Sequence, residues 1–181
     1  VAELNLDPAA SRLTLRTRAA GMLARLAHDL ELEAKHLRGH ARVEGDTWTA
    51  ELQIPVESLS VAGTLRGERL DPSALSASDR GEIERRVRDE VLRGTQEVKI
   101  QASGRTRTRA EVRIVLQGAE TRLSAALDTR EGPGGALTVS GSCRLSLRDL
   151  KIAEIKGPLG AFKIRDDVEV RFDITLRPTS T

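Results

Sequence analysis

Apolar and polar residues alternate one for one along most of the chain, the period of strands that bury one face. Leu13 and Leu15 alternate with Arg12, Thr14 and Arg16, and Trp48, Ala50, Leu52 and Ile54 alternate with Thr49, Glu51 and Gln53. The rhythm returns at Val98, Ile100 and Ala102, at Val112, Ile114 and Leu116, and at Leu123, Ala125 and Leu127. The longest runs are Leu137, Val139, Gly141, Cys143, Leu145 and Leu147, then Val168, Val170, Phe172, Ile174 and Leu176. About eight or more strands, each with one apolar face, must share a core, and an antiparallel sheet closed on itself does this while removing exposed edges. Gly45-Asp46 and Gly118-Ala119 read as tight hairpin corners, and Gly132-Pro133-Gly134-Gly135 as a longer turn. Links this short join antiparallel neighbours. The expected fold is mainly β: an extended, lipocalin-like antiparallel barrel over residues 1–181, read as a single domain.

Two segments leave the alternation. Residues 79–93 predict an amphipathic helix across one barrel end, with Ile83, Val87 and Val91 on one face. Asp79 and Glu82 suit a capping box there, and Gly94 a C-terminal stop. Residues 60–78, with Gly63, Gly67, Pro72 and several serines, read as a long loop leading into it. Further upstream, Leu23, Leu26, Ala27 and Leu30 keep helical spacing, after which Leu30, Leu32 and Ala34 alternate with Glu31, Glu33 and Lys35. This predicts a short helical plug with Leu23 and Leu26 facing inward, and His28-Asp29 as the corner into a strand.

Composition narrows the function. Trp48, Phe162 and Phe172 are the only aromatics, so the interior is built from Leu, Val, Ile and Ala. Without aromatic platforms, stacking on single-stranded nucleic acid is disfavoured. Twenty-nine basic against 27 acidic residues give a net charge of +2, too even for a dedicated nucleic-acid binder. Cys143 is alone, so neither an internal disulfide nor a cysteine metal cluster can form. No apolar run reaches the roughly 18 residues of a membrane-spanning helix. The chain shows no signal-peptide pattern.

Residues that could carry chemistry are few. His36 and His40 are four apart, but on a strand that is roughly 13 Å, too far to share one metal. Cys143 falls on the apolar phase of a strand, as a buried, inert thiol would. No nucleophile elbow and no phosphate-cradling loop occurs. Arg105, Arg107 and Arg109 alternate with Thr106 and Thr108, which on a strand lines three guanidinium groups along one face. That face reads as a solvated outer surface, or as an anchor for an anionic head group or a membrane surface. His28-Asp29 reads as a corner in which the aspartate accepts backbone N–H groups. No catalytic residue, metal ligand or cofactor is assigned.

Several fragments carry a resemblance. Leu6-Asp7-Pro8-Ala9-Ala10-Ser11-Arg12-Leu13-Thr14-Leu15 has a D-P-x-x-S segment leading into a strand, and a strand ending in glycine follows at Leu37-Arg38-Gly39. Leu52-Gln53-Ile54-Pro55-Val56-Glu57-Ser58-Leu59 reads as a further strand before the loop and the helix that holds Arg86-Val87-Arg88-Asp89-Glu90-Val91-Leu92. Asp166-Asp167-Val168-Glu169-Val170-Arg171-Phe172-Asp173-Ile174 closes the chain. In element order and in these short fragments the chain resembles the YceI-like family of polyisoprenoid-binding proteins. The resemblance implies a barrel whose apolar bore holds an isoprenoid, quinone or fatty-acyl chain, without catalysis, and a periplasmic setting. Its expected lining is Leu13, Leu15, Leu23, Leu26, Leu30, Leu32, Trp48, Leu52, Ile100, Ile114, Val139 and Phe172. The partner expected is thus a lipid-like small molecule and not nucleic acid, with room left for peripheral membrane contact and for a homodimer. Two other readings stay open: a solid-core adaptor barrel, and a small-molecule enzyme using His28 and Asp29.

Overall fold

The alternating segments form strands that close into a ring in the computed structural model, which describes residues 1–22 and 27–179. In chain order the strands are β1 (Ala2–Leu6), β2 (Arg12–Thr17), β3 (Ala19–Ala20), β4 (Asp29–Ala34), β5 (Arg38–Glu44), β6 (Thr47–Pro55), β7 (Leu59–Arg66) and β8 (Arg69–Asp71). Helix α1 (Ala77–Arg86) continues into a π turn (Val87–Val91). Then come β9 (Glu97–Thr106), β10 (Arg109–Leu116), β11 (Ala119–Glu131), β12 (Leu137–Ser146), β13 (Lys163–Ile164) and β14 (Asp167–Pro178). The ring runs β1-β5-β6-β9-β10-β11-β12-β14, and β14 pairs back onto β1, so the expected antiparallel barrel is present. A second sheet, β2-β4-β7-β8, hangs from β14.

One edge of β14 therefore serves two strands. Residues Leu176 to Pro178 pair with β1, while Glu169 to Asp173 pair with β2. The chain must step off that edge between them, and the Asp7-Pro8-Ala9-Ala10-Ser11 segment makes the step. Asp7 accepts hydrogen bonds from the N–H groups of Ala9 and Ala10, at 3.1 and 3.3 Å, around a single 3-10 turn (Pro8–Ala10). Its other oxygen accepts from Arg177 of β14 at 2.6 Å. Ser11 takes up the backbone group that the step leaves exposed: its hydroxyl accepts the Thr175 N–H at 3.0 Å.

The second sheet buries both faces. Leu13, Leu32 and Ala34 face the main core with Leu59 and Val61. On the opposite face Arg16 and Glu31 are also buried, joined at 2.7 Å with side chains only 10% and 4% exposed. The turn between β7 and β8 reaches back over this pair. There Glu68 accepts from Arg16 at 2.7 Å, from Arg18 at 3.2 Å and from Arg171 at 2.7 Å.

Residues 60–78 are not the loop their serines and glycines suggest: β7 and β8 occupy most of them as a hairpin. Gly67 supplies the positive φ of 62° that its turn needs. Gly63 lets β7 lie so close to Asp71 and Pro72 that a Cβ would collide with their backbone. The free edge of β7 is covered by α1. Val61 N–H donates to Glu84 at 2.9 Å, and Arg80 donates to the carbonyls of Val61, at 2.9 Å, and Pro72. The helix starts earlier than expected because Ser76, not Asp79, is the cap. Ser76 Oγ accepts the Asp79 N–H at 3.1 Å, and Asp79 faces back at the third helical position. Gly94, at φ +72°, donates to the Arg88 carbonyl and ends the turn as expected. The β10–β11 corner is Gln117-Gly118 rather than Gly118-Ala119, since Ala119 already pairs with Leu116. Leu52 to Leu59 is likewise not one strand: β6 ends at Pro55 and a 3-10 turn (Val56–Ser58) precedes β7. Gly39 is the second residue of β5 and not a strand end.

Two predictions follow from these ion pairs. Arg16→Met leaves the buried Glu31 with only its longer contact to Arg12, at 3.6 Å, and should cost about 3 kcal/mol in urea denaturation, the low end for a broken buried pair; an unchanged midpoint would show the pair to be idle. Hydrogen bonds from Arg177 to Asp7, from Arg171 to Glu68 and from Ser146 to Asp166 hold those carboxyls below their ordinary range. Arg113, helped by Arg122, draws Glu120 from 4.5 to about 2. Each group takes up its proton less readily folded than unfolded, so its contribution is complete above the ordinary range and is lost as pH falls. The melting temperature should hold down to about pH 5, then fall between about pH 4.5 and 2. A flat profile across that window would refute the assignment.

Candidate functional site

Pairing in register sends one face of every ring strand inward. Ala41 sits opposite Ala50, Ala50 opposite Ala102, Ala102 opposite Val112, and Ala110 opposite Ala125. Small inward side chains on consecutive strands cannot meet across the barrel, so an apolar cavity of about 150 Å³ remains. Many inward residues are accordingly only half-buried, Ala50, Leu52, Ile100, Ala102, Val112 and Val139 among them. The cavity lies toward the end that holds the β5–β6, β9–β10 and β11–β12 turns. The other end is filled: Val87 and Leu92 from the helix segment, with Val56, Leu116, Leu145 and Leu150, pack there.

The two ring-strand aromatics lie over glycines. A Cβ on Gly104 would stand 2.6 Å from Trp48 Nε1, and one on Gly141 2.8 Å from Phe172 Cζ. Each ring thus rests on a neighbouring strand at a position without a side chain. Trp48 is fixed further by its indole N–H, which donates to the Thr106 carbonyl at 2.8 Å.

Of the expected lining residues, Leu13, Trp48, Leu52, Ile100, Ile114, Val139 and Phe172 border the cavity. Leu15, Leu30 and Leu32 do not. They belong to β2 and β4, outside the ring: Leu15 packs against the main core and Leu32 is buried, while of these two strands only Leu13, at the start of β2, reaches the bore. Leu23 and Leu26, expected as an inward plug, lie outside the described residues. Leu6, Ala41, Val43 and Thr129, which none of the alternating runs included, also border the cavity, as do Leu127 and Arg107. Strand register places all of them there except Arg107, which reaches it from a turn.

Other candidate chemistry is dispersed. His36 and His40 are exposed, and His36, at φ +56°, lies in the link between β4 and β5. Among the described residues no group of three or more potential ligands could hold a metal ion. Asp29 acts at the corner as its position implied, accepting the Ala19 N–H at 2.8 Å and an Arg18 N–H at 3.3 Å. His28 beside it is exposed. Cys143 is half-buried and borders the cavity, and burial pushes its thiol pKa up, away from the reactive thiolate. Arg105, Arg107 and Arg109 do not share one strand face. Arg105 is the last residue but one of β9, Arg109 begins β10, and Arg107 is in the turn between them, bordering the cavity. A second hollow of about 530 Å³, lined by both apolar and charged residues, lies between residues 147–155 and 163–167.

No protein-family model and no curated protein matches the chain. Solved structures share its fold, among them the following two. A polyisoprenoid-binding domain from Saccharophagus degradans, implicated in plant cell wall breakdown, is 13% identical with a TM-score of 0.68, over 99% of both chains. BcnA of Burkholderia cenocepacia is 11% identical with a TM-score of 0.64, over 94% of this chain and 98% of that one. At these identities the likeness is one of architecture.

Gly104→Val should force the Trp48 ring off its site and break its bond to Thr106, at a cost of roughly 1–3 kcal/mol. The check is a lower denaturation midpoint together with a red-shifted tryptophan emission. An unmoved emission maximum would show that the ring does not depend on the glycine.

Proposed function

We propose that this YceI-like barrel binds or carries a long-chain amphiphile, of isoprenoid, quinone or fatty-acyl type, with the apolar tail in the bore and the polar head at the open end. The observation that carries the reading is the cavity: aliphatic on nearly every side, and backed at the helix end by a packed core. The polyisoprenoid-binding domain of the same fold supports it. A void of this size lined by Leu and Ile stays dry and takes apolar ligands. Leucine and isoleucine rotamers can repack around a chain longer than the void itself holds.

The energetics set a length. Each buried methylene contributes about 0.8 kcal/mol, so roughly fifteen give about 12 kcal/mol. Lost freedom of motion takes back about 4 kcal/mol or more, leaving affinity near the micromolar range. Tails much shorter than this bind weakly. The reading is non-enzymatic: tail burial alone supplies the affinity, and neither His28, exposed, nor Cys143, with its raised pKa, is set up to react.

Affinity for saturated alkyl ligands should rise about fourfold per added methylene until the bore is full. Titration followed by the emission of Trp48, the chain's one tryptophan, measures this. Ala102→Phe, which fills the bore, should weaken binding at least tenfold with an unchanged thermal melt. A chain-length series without any slope, with no lipid released from the purified protein in native mass spectrometry, would overturn the proposal.

A further inference from the structure

We propose that Arg107 makes the cavity selective for amphiphiles with an anionic head group, a carboxylate or a phosphate. The inference rests on the lipid-binding reading and adds to it the chemistry of the head.

Three hydrogen bonds from flanking strands hold the β9–β10 turn over the open end. Trp48 Nε1 of β6 donates to the Thr106 carbonyl at 2.8 Å. From β11, Thr129 Oγ1 donates to the Arg107 carbonyl at 2.8 Å, and Leu127 N–H to the Thr108 carbonyl at 2.8 Å. The β9–β10 register slips between Arg109 and Glu111, so the hairpin is irregular just where it turns. Strapped from both sides, its tip keeps Arg107 at the rim of the bore. Among the residues that border the cavity, Arg107 alone carries a permanent positive charge.

Its guanidinium is only partly used. Nη1 donates to Glu131 Oε1 at 2.7 Å, and Glu131 is 73% exposed. Such a surface pair is weak and readily exchanged. Nε is sealed from solvent, so a ligand meets the guanidinium through its terminal nitrogens, on a side chain that is 40% exposed. An oxyanion at the rim, held by a tail in the bore, can take the place of Glu131 there, because the two terminal nitrogens form an end-on fork that carboxylates and phosphates fit. Residues 105–109 include three arginines and no acid, which favours the same sign of head group.

The test compares dodecanoic acid and dodecyl phosphate, below their micelle concentrations, with dodecanol, below its solubility limit, by isothermal titration calorimetry. The unmodified protein should bind the acid or the phosphate about tenfold more tightly than the alcohol. The tighter of the two anions names the head group. In Arg107→Gln the gap should close to about twofold with alcohol affinity unchanged, and Glu131→Gln, which frees the guanidinium, should widen it. Equal affinity for all three ligands in the unmodified protein, or an Arg107→Gln loss shared equally by the alcohol, would overturn this inference and leave lipid binding standing. Failure of every ligand to bind would remove both.

Discussion

The backbone groups along the free edge of β14 set the plan of the molecule. One edge of this strand is taken by β12, and the other must be satisfied along its whole length. No single partner does so: β1 takes the last residues and closes the ring, and β2 takes the first residues and starts a second sheet. The barrel is therefore closed where the cavity lies and opens out where the helix packs. Asp7, Ser11 and Arg177 hold the splice, which gives the Asp-Pro-x-x-Ser pattern a physical reason to exist.

From this plan the cavity follows. Ring strands point one face inward, and alanine and glycine recur at those inward positions, so opposite walls stay apart. The chain has too few aromatics to fill the gap, and its two ring-strand aromatics are laid flat against glycines instead of projecting across the bore. The second sheet solves a different problem. Both of its faces are covered, one by aliphatic packing and one by the Arg16–Glu31 pair beneath Glu68, so it adds bulk and closure without adding volume to the cavity.

Much of the architecture was legible in the sequence, because one-for-one alternation survives in every ring strand and the hairpin glycines stand where the strands turn. Seven of the expected lining residues border the cavity because inward phase is a property of each strand alone. Leu15, Leu30 and Leu32 share that phase and miss the bore, since membership of the ring depends on which stretch of the β14 edge a strand joins, which the local pattern does not encode. The β7–β8 hairpin was hidden by its own composition: serines and glycines that mark a loop elsewhere serve here a close backbone approach at Gly63 and a turn at Gly67. Arg107 looked like one of three equivalent arginines on a strand. Only the turn that interrupts the strand separates it from its neighbours.

The splice on β14 also bears on how the molecule is made. β1 and β2 are near the start of the described chain, and their partner is its last strand, with Asn5 and Thr179 already 174 positions apart. Until β14 is available, β1, β2 and β12 each present an unpaired edge, and the apolar lining of the future bore stays open to its surroundings. Such distant pairings close slowly, since loop entropy is lost before the contacts repay it. During synthesis the half-built sheet is a surface for which chaperones and other nascent chains compete, and the final strand ends that exposure in a single step.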